Sequence, residues 1–173
     1  QMCIRDSSTY EALVAVGASG KAGEVTRVPA PSKAGVASII AVGLGDAEEV
    51  DDETLRRAAG QAARSITKVG AVATSLGDFG ITPVVEGLIL GGYKYSGLRS
   101  ESATETTTYT VVAEKSAQKE FDSAKITAES VLIARDLVNT PSNLLYPETY
   151  AAFLSTQAAD VGLEVEILDE KAL

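Results

Sequence analysis

Two short apolar runs closed by glycine, each followed by a segment with helical periodicity, limit the folds open to this chain more than any other feature. SIIAVGLG, residues 38–45, is β-branched and apolar without alternation, the pattern of an interior strand covered on both faces. The segment after it carries Leu55, Ala58, Ala59, Ala62, Ala63, Ile66 and Val69 at three- and four-residue spacing, which predicts a helix with one apolar face. Asp51 or Asp52 can cap that helix, and Arg56, Arg57, Gln61 and Arg64 fall on its wet side. The acidic run DAEEVDDE reads as helix capping rather than a metal site, because carboxylates in a first turn suit the helix dipole and its free N–H groups.

The second run, AVATSL at 71–76, is a further strand, and Thr82-Pro83 opens a helix through VVEGLILGGYKY with Pro83 suited to the first helical position. TTTYTVVAE, residues 106–114, is another strand. Upstream, YEALVAV at 10–16 reads as a buried strand ended by Gly17, and the turn-rich stretch after it holds a short strand near 25–28. Strands alternating with helices predict an α/β fold, a mixed sheet covered by helices on both faces.

The helix expected over 122–138 is of another kind. Val131, Leu132, Ile133 and Ala134 are consecutive, and at about 100° per residue they sweep most of the helix circumference, so the helix needs cover on more than one side. NTPSNLLYP follows as a proline-punctuated turn, with Asn139 and Asn143 suited to backbone capping. Pro147 then opens a helix with a stripe of Ala151, Leu154, Ala158 and Val161, ended by Gly162, and GLEVEIL alternates as a strand does. Helix and strand at this end have no evident partners in the chain, as the opening of a second α/β domain would look.

Composition narrows the chemistry. With 173 residues and 45% hydrophobic content the chain can bury a core. A net charge of −9 opposes phosphate backbones, so no nucleic-acid partner is expected. No run of about eighteen apolar residues is present to span a bilayer, and the N-terminus lacks a signal-peptide layout, so the expected location is cytoplasmic, without a membrane partner. Histidine is absent and Cys3 is the single cysteine, which excludes a Ser-His-Asp triad and zinc sites built on imidazole or thiolate. Metal chemistry here would need carboxylates and water alone. The opening QMCIRDSS holds the only Met and the only Cys and resembles sequencing-adapter read-through, so residues 1–7 are set aside as a non-native leader.

Three glycine motifs fail as ligand sites. Gly43-Leu44-Gly45 sits between a strand and a helix like a dinucleotide turn, but Glu48 stands where the third glycine belongs. Gly20-Lys21 suggests a phosphate loop, yet Ala22 replaces the magnesium-binding hydroxyl and Ala15 the first glycine. Gly87 and Gly91 have the spacing of a membrane-dimer motif, and in a short helix that spacing serves close helix packing.

ARDLVNTPSN followed by YPE and a helix resembles the interdomain linker of the leucyl aminopeptidase family, the cytosolic two-metal aminopeptidases. IIAVGLG with ETLRRAAGQAAR resembles that family's N-terminal strand-helix unit, VVEGLILGGYKYSGLRS its glycine- and tyrosine-bearing helix and turn, and GLEVEILDEKAL the first strand of its catalytic domain. Ser142 stands where the family often has proline, and Tyr146 where threonine is common. The resemblance covers about residues 10–173. It implies a macro-domain-like module over 8–120, an interdomain helix and linker turn over 121–146, and the start of a truncated catalytic domain over 147–173. It also implies a parent enzyme that removes N-terminal residues from peptides with two divalent ions (zinc, manganese or magnesium) as a homo-hexamer. The missing catalytic domain would be this chain's first partner. The family's metal and catalytic motifs match no residue here, so catalytic, cofactor-binding and metal residues are all expected to be none, and the chain alone is expected to be inactive. The alternative is a stand-alone macro-like module binding ADP-ribose at the strand ends, which Asp46, Glu48 and Glu49 disfavour by charge.

Overall fold

The computed structural model describes residues 7–97, 107–169 and 171–172. The chain divides into two compact units, residues 1–132 and 133–173.

The first unit begins with a helix, not the strand expected over 10–16. α1 (Ser7–Ala15) buries Thr9 and Leu13, four residues apart on one face, and leaves Tyr10 and Val14 exposed. In so short an apolar run helical and strand patterns are hard to separate, and Glu11, Ala12 and Leu13 are good helix formers. Gly17 at φ 83° stops the helix, with Ala18 N–H donating to the Leu13 carbonyl. Ser7, assigned to the leader by its composition, is the first residue of α1, while residues 1–6 lie outside the described residues.

β1 (Val25–Pro29) and β2 (Ser38–Val42) form an antiparallel pair, with Val25 opposite Val42 and Pro29 opposite Ser38. Every residue of β2 is half-buried, so it is not covered on both faces as its sequence implies. Among the described residues it pairs with β1 alone.

α2 (Asp52–Ser65) is capped by Asp51, whose carboxylate accepts from the Thr54 N–H and hydroxyl, each at 2.7 Å. The helix buries Leu55, Ala58, Ala59, Gly60, Ala62 and Ala63. It stops earlier than the periodicity suggests: Ile66 is the buried C-cap, and Val69 lies beyond it. Arg56 is half-buried rather than on a wet side, its Nε 2.7 Å from a Glu86 carboxylate oxygen. That carboxylate, and then Glu53, hold the guanidinium above its ordinary pKa.

β3 (Ala71–Thr74) and β4 (Thr108–Val111) pair in parallel, Ala71 opposite Thr108. Among the described residues the strands thus make two separate pairs, one antiparallel and one parallel, in an α/β fold. α3 (Ile81–Gly92) lies between β3 and β4 in the chain. Pro83 is its third residue, not its first; the substitution of its N–H costs nothing there, because the first four helical N–H groups have no intrahelical partner anyway.

α2 and α3 meet backbone to backbone. A Cβ on Gly91 would stand 2.5 Å from the Gly60 Cα, and one on Gly87 would stand 2.8 Å from the Ala59 Cβ and closer still to the Arg56 carbonyl. The expected role of the glycine pair in close helix packing is borne out. Around this seam Leu55, Ala59, Ala63, Val84 and Leu88 form one core cluster.

α4 (Gln118–Asn139) starts four residues before the expected 122 and buries only Ala124 and Ala128. Ala124 joins Ile81 and Val85 of α3 in a second, smaller cluster flanked by Phe121 and Ala117. Val131 and Ile133 are each 38% exposed and Val138 is 85% exposed, so within this structure the expected cover on several sides is not supplied.

The second unit holds the end of α4, a turn, and α5 (Pro147–Asp160), closed by Gly162 at φ 74°. None of the residues of α5 is fully buried; of the expected stripe, Ala151 and Ala158 are half-buried while Leu154 and Val161 are exposed. GLEVEIL is not a strand: residues 163–169 adopt no regular secondary structure, since alternation makes a strand only where another strand accepts its hydrogen bonds.

Candidate functional site

The strand-end loops, where two glycine motifs fall, prove to be packed against each other. Gly43 N–H donates to the Glu24 carbonyl, Gly23 N–H to the Gly43 carbonyl, and Gly45 N–H to the Gly20 carbonyl. A Cβ on Gly43 would collide with the Lys21 carbonyl. Gly43 is therefore required by the loop that crosses it. The loop around Gly20 does present N–H groups to an anion, and that anion is the chain's own. The Glu24 carboxylate accepts from Ser19 N–H, from the Ser19 hydroxyl at 2.8 Å and from Lys21 N–H. These bonds, the Ser19 hydroxyl first, hold Glu24 below its ordinary pKa.

The acidic residues beside these loops act locally. Asp46 accepts from Glu48 N–H, Asp51 caps α2, and Glu53 bonds Arg57 and Arg56. Among the described residues no group of three or more His, Cys, Asp or Glu side chains is placed to hold a metal ion. The residues described do not fit the two-ion site that the family resemblance implies, and no catalytic step is derived through one.

The junction is organised by threonines that the sequence reading passed over in favour of Asn139 and Asn143. Thr140 N–H and hydroxyl both donate to the Asp136 carbonyl, closing the end of α4. Leu144 and Leu145 N–H groups turn back to the Pro141 carbonyl, and Tyr146 N–H donates to the Thr149 hydroxyl at 3.0 Å. Thr149, the third residue of α5, is a hydroxyl one turn in from a proline-led start, a signal present in the sequence. Within the second unit a hollow of about 330 Å³ is lined by the apolar Ile133, Leu137, Leu144, Leu145 and Phe153 together with Asp136, Thr140, Thr149 and Gln157. It is an apolar surface rather than a place for bond-making chemistry. Among the described residues no helix is long and apolar enough to cross a membrane.

Residues 7–102, more than half the chain, match the cytosol aminopeptidase family's N-terminal domain. A probable cytosol aminopeptidase of Corynebacterium diphtheriae is 53% identical over 169 residues, which are 95% of this chain and 34% of that protein. Another from Corynebacterium glutamicum is 52% identical over 165 residues, 93% of this chain and 32% of the relative. Among solved structures, the bottromycin maturation enzyme BotP superposes with a TM-score of 0.79 at 27% identity, over 88% of this chain and 34% of that one. A tomato leucine aminopeptidase superposes at 0.77 over 95% of this chain and 35% of its own, and its 22% identity speaks for the fold alone. The chain spans about a third of the length of these relatives. The chain therefore belongs to the cytosol aminopeptidase family, matched over residues 7–102 in that family's N-terminal domain.

Proposed function

We propose that this chain is the N-terminal scaffold of a cytosolic leucyl aminopeptidase, a metal-dependent exopeptidase that removes leucine-like residues from peptide N-termini. The carrying observation is the match of residues 7–102 to the family's N-terminal domain in a chain spanning about a third of its relatives. On this reading the N-terminal module runs to residue 120 and includes Ser7, which opens α1 and the family match, 121–146 are the interdomain helix and linker, 147–173 the first part of the catalytic domain, and the residues before Ser7 a non-native leader. No catalytic, cofactor-binding or metal residue lies within the chain. The parent would hold two divalent ions in the remainder of the catalytic domain, assemble as a homo-hexamer and work in the cytoplasm. A solved relative, BotP, is described in complex with Mn, in keeping with manganese as one choice. The apolar hollow and the exposed side chains at the end of α4 suit a surface that the rest of such a domain would cover.

Leucine p-nitroanilide hydrolysis with added manganese tests the proposal, run on this chain beside the chain extended through its downstream coding sequence. Turnover is expected only from the extended protein. Comparable rates from both would place the active site inside residues 1–173 and overturn the reading.

A further inference from the structure

α3 begins without the means to satisfy its own first turn. Its N-cap is Gly80, which has no side chain to accept a hydrogen bond, and no acidic residue stands in its first turn. The missing acceptor comes from another helix. Glu120, in the first turn of α4, accepts from Thr82 N–H at 3.1 Å and from the Thr82 hydroxyl at 2.8 Å. It supplies in trans both the cap and the negative charge that a helix N-terminus favours.

Apart from this bond, α4 has little to hold it on α3. Its buried residues are Ala124 and Ala128, whose side chains offer the least apolar area of any apolar residue but glycine, and Phe121 and Ala117 add partial cover. A helix docked by alanines depends on its polar contact more than one docked by leucines. The contact is also open to solvent, since Thr82, Lys119, Glu120 and Ser123 line an open hollow of about 440 Å³. Water can therefore replace the carboxylate at the α3 terminus without leaving a buried group unpaired.

We propose that Glu120 is a removable pin: with its bond to Thr82 made, the first half of α4 is fixed on the α/β unit, and with the bond broken that half undocks while the rest of the unit stays folded. Glu120 is then a positioning residue that sets how the linker helix leaves α3, a conformational device separate from the aminopeptidase reading.

Amide hydrogen exchange on the full chain tests it. Glu120→Ala should raise exchange over residues 121–132 by about two- to thirtyfold, the span of lost helix caps, with the α2 amides of residues 55–63 unchanged. Glu120→Gln, whose side-chain oxygen accepts the same two bonds, should restore most of the protection. Thr82→Val removes only the hydroxyl donor and should give a smaller rise in the same segment. Unchanged exchange over 121–132 in Glu120→Ala, or a rise shared equally by α2, overturns the pin. If Glu120→Ala does not fold, Thr82→Val decides alone: a rise confined to 121–132 supports the proposal, and no rise or a general one refutes it.

Discussion

α2 and α4 are both long helices, and they are finished differently. α2 buries six of its fourteen residues and closes its own N-terminus with Asp51. α4, with twenty-two residues, buries two and leaves Val131, Ile133 and Val138 open to solvent. The contrast is not one of hydrophobic content, since α4 holds four consecutive apolar residues at 131–134 and α2 holds at most two in succession. It is one of arrangement. In α2 the apolar residues are small and share a face, so α3 can approach until glycine meets glycine. In α4 they are large and spread around the helix, a distribution that a single neighbour cannot cover. The first helix is a completed element of a domain core, and the second leaves large apolar side chains in water.

The largest expected break in this comparison is at the seam. Replacing Gly91 with leucine forces a side chain into the Gly60 backbone, where nothing can rotate away. Unfolding by urea should show a loss of about 3 kcal/mol or more, the scale of severe overpacking. Gly87→Ala is the sharper variant, because alanine improves helix propensity by about 1 kcal/mol. Here the Cβ would meet the Arg56 carbonyl and Ala59, so the clash should outweigh that gain and the midpoint should fall. A rise would mean that α2 and α3 can separate without loss, and the contrast with α4 would lose its basis.

The seam was legible because it is local: Ala58, Ala59, Ala62 and Ala63 share a face, and the Gly87–Gly91 spacing announces close approach. The Asp51 cap was legible for the same reason, lying three residues from its donor Thr54. Contacts between distant residues were not. Nothing in sequence ties Glu120 to Thr82 or Arg56 to Glu86, thirty-eight and thirty positions apart. α1 was misread because seven apolar-rich residues fit strand and helix alike, and what decides is whether Leu13 finds a core. GLEVEIL keeps the alternation of a strand and lacks a pairing partner among the described residues. At the strand ends the failed motifs were readable as failures, but the reason for Gly43 and the self-filling of the Gly20 loop by Glu24 required the two loops to be seen together.

A smaller effect is expected at the α2 cap. The Thr54 hydroxyl, and then its N–H, hold Asp51 below the ordinary aspartate pKa. A depressed carboxylate contributes stability that is present above its unfolded pKa and is lost as pH falls through the lower, folded value. The Asp51 contribution should therefore persist through mild acid and disappear only below the usual aspartate range. Protection of the Thr54 amide, its exchange followed by NMR relative to unstructured peptide at the same pH, should fall over that window, and Asp51→Asn should remove the fall while retaining the cap. An Asp51→Asn protein with the same acid response would assign it to another carboxylate, such as Glu53 at its two arginines.

The smallest effect on stability, and the one that most sharpens the comparison, is expected at the exposed end of α4. Val131 and Val138 are seven residues apart, so they share one face of the helix, and both are exposed, at 38% and 85%. Serine at both positions removes apolar surface that this structure leaves in water, and valine and serine have similar helix propensities. The urea midpoint should therefore shift by no more than about 0.5 kcal/mol in equivalent stability, the range of ordinary surface changes. Association should respond instead. Contiguous apolar surface drives contact between copies, so sedimentation velocity should show the wild-type chain forming larger species as concentration rises and the double variant remaining monomeric further up the same series. The same pair of substitutions on the buried face of α2, at Ala59 and Ala63, would do the reverse, lowering stability without touching association. If the α4 variant instead unfolds the chain, these valines belong to a core, and α4 is a finished helix like α2. If the wild-type chain is monomeric at every concentration, the exposed face does not drive contact, and α4 is unfinished only in its sequence pattern.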